Sequence, residues 1–123
     1  MKKDFKKALA LLEKACDLNN SGGCGALGML YENDQGVEKN LTKAAQFYSK
    51  GCELNNSFGC SALGMLYEYG QGVEKNLTKA AQFYSKACKL GLQETCEDAQ
   101  NIEVRDKKHA IASPRNYPTK ALF

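Results

Sequence analysis

The chain has few of the features by which an enzyme, a membrane protein or a nucleic-acid-binding protein is recognised. It contains one histidine, His109, and no two cysteines separated by two residues, so the usual ligand pattern of a zinc site is missing. No stretch approaches the roughly 20 apolar residues of a membrane span. Residues 1–100 hold 12 basic and 12 acidic side chains, so they have no net positive charge to attract nucleic acid. These absences predict no metal, no cofactor, no membrane span and no nucleic-acid partner.

The first residues also lack the apolar run of a secretory signal peptide. The segment from Met1 to Leu18 is interrupted by Glu13, and its apolar stretch is too short for such a signal. Six cysteines in 123 residues nevertheless indicate a disulfide framework and an oxidising compartment. We therefore expect a mature form or a fragment of a secreted or periplasmic protein.

What the chain does contain is a repeat of 36 residues. Residues 39–74 read KNLTKAAQFYSKGCELNNSFGCSALGMLYEYGQGVE, and the same text begins again at Lys75. Residues 3–38 form a looser copy in which 22 of 36 positions are identical, enough to establish the period. A period of this length is typical of a solenoid. The predicted array covers residues 1–104, with repeats at 3–38, 39–74 and 75–104.

Each repeat has the apolar spacing of two antiparallel helices, so the predicted fold class is all-α. Asn40 precedes an apolar stripe in the position of an N-cap, and Asn55-Asn56-Ser57 predicts the turn to the second helix. Gly70-Gln71-Gly72 ends that helix. The second helix of the third repeat is more polar, as expected for the last helix of an array. Residues 105–123 are basic and contain both prolines, and we expect a loosely ordered tail there.

The cysteines recur with the repeat, as Cys16 and Cys24, Cys52 and Cys60, and Cys88 and Cys96. In each pair the first cysteine lies late on one helix and the second lies early on the next. A tight turn brings such positions within the Cα distance of a disulfide. The alternative is zinc held by thiolates, although the single histidine lies outside the repeats. We predict one disulfide per helix pair, each contributing about 2.5 kcal/mol through loop entropy.

The run LGMLYEYGQGV from Leu63 to Val73, followed by KAAQFYSKA from Lys79 to Ala87, resembles the Sel1-like repeat, a relative of the tetratricopeptide repeat. Two cysteines also recur at the same positions of every repeat. In this respect residues 3–102 are similar to the cysteine-rich Sel1-like repeat proteins of Helicobacter, the Hcp family. The resemblance implies a right-handed α/α superhelix with one disulfide per helix pair, in an exported protein. It also implies penicillin binding and weak hydrolysis of β-lactams.

By analogy with tetratricopeptide arrays, the L-G-x-x-Y helices are expected to line a concave groove. The residues expected to project into it are Met29, Glu32, Asn33, Ser61, Met65, Glu68 and Tyr69. We expect a monomeric interaction module that holds a peptide, a glycopeptide, a protein or a cell-wall fragment there.

Two other hypotheses for function stay open. A weak β-lactamase or penicillin-binding protein rests on the resemblance alone, because the motifs S-x-x-K, S-D-N and K-T-G are absent. No serine has an evident base beside it, so the catalytic residues of such an enzyme are unknown. The remaining hypothesis is a structural fragment that is too short to bind a ligand tightly.

Overall fold

The computed structural model describes residues 5–111, with side chains as far as Arg105. This part of the chain folds into six helices and contains no strand. The helices are α1 (Phe5–Asp17), α2 (Ser21–Glu32), α3 (Leu41–Glu53), α4 (Ser57–Tyr69), α5 (Leu77–Lys89) and α6 (Glu94–Ile111). Each helix packs against the next, and α2 also contacts α4. The predicted all-α array of helix pairs is confirmed.

Asparagine side chains cap the N-termini of four helices. Asn40 Oδ1 accepts the backbone N–H of Lys43 at 3.0 Å, and Asn76 Oδ1 accepts that of Lys79 at 2.9 Å. Asn20 and Asn56 cap α2 and α4 in the same way, each at 2.7 Å. An asparagine cap satisfies one of the backbone donors that have no partner in the first turn. The period of the array therefore fixes where its helices begin.

The loop after α2 packs against the start of α1, and the loop after α4 packs against the start of α3. Gly72 has a φ of +76°, and a Cβ atom there would lie 2.4 Å from the carbonyl oxygen of Leu41. Gly36 occupies the same place one repeat earlier, against Phe5. Asp34 adopts a φ of +57° where Gly70 has +66°, so both repeats make the same left-handed turn.

Glycine on the second helix of each pair makes room for a tyrosine ring on the following helix. A Cβ atom on Gly28 would lie 2.7 Å from the ring of Tyr48, and one on Gly64 would lie 3.1 Å from that of Tyr84. Both tyrosines are buried, Tyr48 in one core cluster with Leu66 and Tyr84 in a second cluster with Ile102. These two glycines therefore let α3 approach α2 closely, and let α5 approach α4 closely.

Three disulfides join the helix pairs as predicted. The Cα–Cα distances are 4.6 Å for Cys16–Cys24, 4.5 Å for Cys52–Cys60 and 4.9 Å for Cys88–Cys96. The first two pairs are fully buried, whereas the third is partly exposed. No group of three or more His, Cys, Asp or Glu side chains within the described residues is placed to hold a metal ion.

The last helix extends beyond the predicted end of the array. Helix α6 continues to Ile111, so residues 105–111 of the predicted tail are helical, and residues 112–123 lie outside the described part. Ala99 and Ile102 are buried against α5, and Asn101 and Glu103 are exposed. Between residues 5 and 111 no helix is long and apolar enough to cross a membrane.

Candidate functional site: the exposed face of α2 and α4

Four side chains form one stripe along α4. Phe58, Ser61, Met65 and Tyr69 follow one another at i, i+3, i+7 and i+11, which places them on the same side of the helix. Phe58 is 43% exposed, Met65 46% and Tyr69 63%, and Ser61 is half-buried between them. The stripe is therefore largely apolar and open to solvent.

Helix α2 carries the equivalent stripe one repeat earlier. Gly25, Met29 and Asn33 lie 36 residues before Ser61, Met65 and Tyr69. Met29 is 37% exposed, and Asn33 is exposed as the C-cap of α2, where its backbone N–H bonds to the Met29 carbonyl. The exposed side chains of this stripe are therefore one flexible apolar side chain, Met29, and one polar side chain, Asn33.

Phe58 joins the two stripes into one surface. A Cβ atom on Gly25 would lie 3.6 Å from Cδ2 of Phe58, so the ring of Phe58 lies beside the glycine of α2. The same ring meets Tyr48 edge-on, with a centroid distance of 5.7 Å. We call the surface formed by Gly25, Met29, Asn33, Phe58, Ser61, Met65 and Tyr69 the α2–α4 face.

The two glutamates of the predicted site are bound to neighbouring helices. Glu32 Oε1 accepts a hydrogen bond from the Tyr48 hydroxyl at 2.5 Å, and Glu68 Oε1 accepts one from Tyr84 at 2.8 Å. Glu68 also forms an ion pair with Arg105 of α6, with 3.3 Å between Oε2 and the guanidinium nitrogen. Both carboxylates are half-buried. They link α2 to α3 and α4 to both α5 and α6.

Burial raises the pKa of the Tyr48 and Tyr84 hydroxyls well above the ordinary tyrosine value, and the bonded glutamates raise it further. A phenolate beside a carboxylate would place two negative charges together in a partly desolvated site. The hydroxyls therefore remain protonated donors near neutral pH. They act as helix cross-links and are poorly suited to accept a proton.

The α2–α4 face offers apolar contact and a few polar groups to a ligand. Met29, Phe58, Met65 and Tyr69 supply the apolar surface, and Ser61 supplies a hydroxyl. Within the described residues, the Ser61 hydroxyl makes no hydrogen bond to a side chain that could take its proton. The arrangement therefore offers a ligand apolar contact and one hydroxyl.

Two residues at or near this face, Phe58 and Arg105, were not predicted from the sequence. Phe58 has the spacing of the Met65 and Tyr69 stripe, so helical periodicity alone would have found it. Arg105 had no such signal, because it meets Glu68 through the packing of α6.

A second repeated cluster lies where each L-G-x-x-Y helix meets the next helix. Tyr31 stacks on Phe47 and Tyr67 stacks on Phe83, each with a centroid distance of 5.6 Å. Lys43 lies 5.3 Å above the Tyr31 ring, and Lys79 lies 5.4 Å above that of Tyr67. Such cation–π contacts stabilise a helix interface by about 0.5–1 kcal/mol at exposed sites. A surface cavity of about 500 Å³ borders Tyr67 and Lys79.

The Sel1 repeat model matches residues 1–20, 23–56 and 57–92, which is most of the chain. Its unit pairs α2 with α3 and α4 with α5, whereas the disulfides join α1 to α2, α3 to α4 and α5 to α6. The two divisions have the same 36-residue period and differ in where the repeat is taken to begin.

Three relatives show how far the similarity extends. HcpC of Helicobacter pylori, which has a provisional beta-lactamase name, is 55% identical over 38 residues, 31% of this chain and 13% of HcpC. The structure of Helicobacter pylori cysteine-rich protein B is 45% identical, with a TM-score of 0.75 over 77% of this chain and 71% of that one. A Sel1 repeat protein from Oxalobacter formigenes is 28% identical, with a TM-score of 0.77 over 80% of this chain and 41% of that one.

These similarities agree with the fold and with the cysteine pattern. Sel1 repeat proteins are protein-interaction modules, and the exposed α2–α4 face fits that role. Three disulfides and the likeness to Hcp proteins indicate an exported protein. The chain belongs to the Sel1 repeat family, in which it is a cysteine-rich protein of the Hcp type.

Proposed function

We propose that this protein is a secreted or periplasmic interaction module that binds a peptide segment of a partner on the α2–α4 face. The observation that carries the proposal is the group of exposed apolar side chains there: Met29, Phe58, Met65 and Tyr69. Contiguous exposed apolar side chains with polar neighbours are typical of interaction sites. Methionine adapts to ligands of irregular shape because its side chain is flexible and polarizable.

The support around the face favours a preformed site. Glu32 and Glu68 are held by tyrosines of the next helices, and Phe58 is packed against Tyr48. Asn33 and Ser61 add polar groups among the apolar side chains. A rigid surface loses less conformational entropy on binding than a flexible one. An extended segment of a protein or a glycopeptide with two or three apolar side chains would match this surface.

The test begins with selection of peptides from a displayed library on the oxidised protein. The affinity of a selected peptide is then measured by fluorescence polarisation for the original chain and for Met65→Lys. We expect the substitution to weaken binding at least tenfold, because it places a charge in the centre of the apolar surface. The matched control is Gln46→Lys, on the exposed side of α3. Equal affinities for the original chain and Met65→Lys would contradict the proposal.

Hydrolysis of β-lactams is the second candidate function, and the name of HcpC is what favours it. Turnover of a chromogenic β-lactam by the oxidised protein would be compared with that of a reduced, unfolded sample. Turnover that is lost on unfolding and in Ser61→Ala would assign an enzymatic role to the α2–α4 face. Turnover equal to that of the unfolded sample would remove this candidate.

A further inference from the structure

Four asparagines of the chain stand in the triplet Asn-x-Ser/Thr, which is the acceptor pattern for an N-linked glycan. They are Asn19, Asn40, Asn55 and Asn76. Each one also has an acidic residue two positions earlier, in order Asp17, Glu38, Glu53 and Glu74. Bacterial oligosaccharyltransferases that bind a carboxylate at that position, together with the hydroxyl two residues after the asparagine, would find both groups at all four places.

The structure separates these asparagines into two pairs. Asn40 and Asn76 lie on extended backbone before α3 and α5, with φ values of −149° and −154°. Both are exposed, as are the two residues before each of them and the threonine two positions later. Such non-helical segments open locally more easily than helices do. This pair is therefore accessible to a transferase on the folded protein.

The other two asparagines are held in tight turns. Asn19 and Asn55 have left-handed φ values of +66° and +69°, and each lies inside a loop that a disulfide closes. The serine two positions after each asparagine is only partly exposed and already belongs to the next helix. These two triplets cannot extend into an enzyme active site while the disulfides are intact.

Capping and glycosylation use different atoms of the asparagine side chain. Oδ1 of Asn40 and Oδ1 of Asn76 accept the backbone N–H three residues later, at 3.0 and 2.9 Å. A glycan is attached to Nδ2, so the cap can persist after the modification. Beside the second site, Glu74, Lys75 and Asn76 border the surface cavity of about 500 Å³. This cavity leaves room for a sugar ring next to the Asn76 amide.

We propose that Asn40 and Asn76 are acceptor sites for an N-linked glycan, which a bacterial oligosaccharyltransferase adds to the folded, oxidised protein. The co-substrate is an oligosaccharide carried on a polyprenyl diphosphate. The asparagine Nδ2 forms a bond to the anomeric carbon of the first sugar, and the bond from that carbon to the diphosphate oxygen breaks. Polyprenyl diphosphate leaves, and the amide gives up one proton to a base of the transferase. This modification is independent of peptide binding on the α2–α4 face.

The experiment measures which asparagines are modified in the folded protein. The oxidised chain is incubated with a purified oligosaccharyltransferase of the carboxylate-binding class and its lipid-linked oligosaccharide, and mass spectrometry of proteolytic peptides gives the occupancy of each site. We expect the occupancy of Asn40 and Asn76 to exceed that of Asn19 and Asn55 at least tenfold. In a reduced, unfolded sample we expect all four to be modified. Absence of the glycan from Asn40 and Asn76 in the folded protein, or equal occupancy of all four there, would overturn the proposal.

Substitutions at the first site separate recognition by the transferase from folding. Thr42→Ala removes the hydroxyl but leaves the Asn40 cap in place, and we expect it to abolish modification of Asn40. The matched control, Thr42→Ser, should retain it. Glu38→Gln is expected to lower the occupancy of Asn40 at least tenfold, whereas Glu38→Asp should not. Asn76 of the same molecules is the internal reference. Modification of Asn40 that persists unchanged in Thr42→Ala or in Glu38→Gln would contradict its assignment as an acceptor of this class.

Discussion

Tyr48 and Tyr84 combine three tasks at equivalent places in the array. Each ring packs against a glycine of the preceding helix, each hydroxyl binds a glutamate of that helix, and each side chain fills the core. Helical spacing is enough to indicate that both tyrosines are packing residues, because each lies four residues after an alanine of the apolar stripe, Ala44 or Ala80. It does not identify the glutamate partner, because the 16-residue separation follows from how two helices pack and from no local rule.

The raised pKa of these hydroxyls predicts a loss of stability at alkaline pH. A group whose folded pKa exceeds its unfolded value of about 10 contributes stability that is present below pH 10 and lost as the pH rises above it. We expect Tyr48 and Tyr84 to resist ionisation until the protein unfolds, seen as a late step in the absorbance at 295 nm. Substitution of both by phenylalanine should abolish that late step, and its persistence would contradict the assignment.

Two glycines with positive φ should differ in their tolerance of a side chain. Gly72→Ala is strained both by its φ and by the Leu41 oxygen, so we expect a loss of about 3 kcal/mol. Gly91 also has a positive φ, but nothing lies within 4 Å of an added Cβ atom, so Gly91→Ala should cost only about 1–2 kcal/mol. Urea unfolding measures both losses, and equal values would show that the contact with Leu41 is unimportant.

At the scale of the helices, the sequence predicted the parts that depend on local chemistry. Asn40 was predicted to be a cap from its position before an apolar stripe, and both Asn40 and its equivalent one repeat later, Asn76, act as caps. The turn at Asn55-Asn56-Ser57 was also predicted, and Ser57, its last residue, is already the first residue of α4. Exposure was harder to predict, because whether Phe58 is covered depends on the distance between α2 and α4. The length of α6 was missed because its polar sequence lacks a periodic apolar stripe.

The three disulfides have equal loop lengths but differ in burial. Cys16, Cys24, Cys52 and Cys60 are inaccessible, whereas Cys88 and Cys96 are partly exposed. Exchange requires a thiolate to reach one of the sulfur atoms, so access controls the rate. We expect a low concentration of dithiothreitol to reduce Cys88–Cys96 first in the folded protein. Differential alkylation with peptide mapping would identify the reduced pair, and initial reduction of Cys52–Cys60 would contradict this order.

On the scale of the whole molecule, the stabilising contacts are those between neighbouring helices. The largest core cluster includes residues from α1 to α4, and a separate cluster holds α6 against α5. A third small cluster contains the Cys52–Cys60 disulfide and Ala87 of α5. The central disulfide therefore contacts the following repeat as well as the two helices that it joins. In a solenoid, such neighbour contacts replace a single deep core.

The central disulfide should consequently matter more than the terminal one. Replacing Cys52 and Cys60 by alanine, or Cys88 and Cys96 by alanine, opens a loop of the same length, and each change loses about 2.5 kcal/mol of loop entropy. The central replacement also removes buried sulfur atoms next to Ala87, which leaves a cavity between repeats.

We expect the urea midpoint of the central variant to be lower than that of the terminal variant. We also expect exchange to accelerate in α3, α4 and α5 together. In the terminal variant the acceleration should be confined to α6, because only the end of the array is released. The same midpoint and the same exchange pattern in both variants would mean that the array unfolds as one cooperative unit, with no dependence on position.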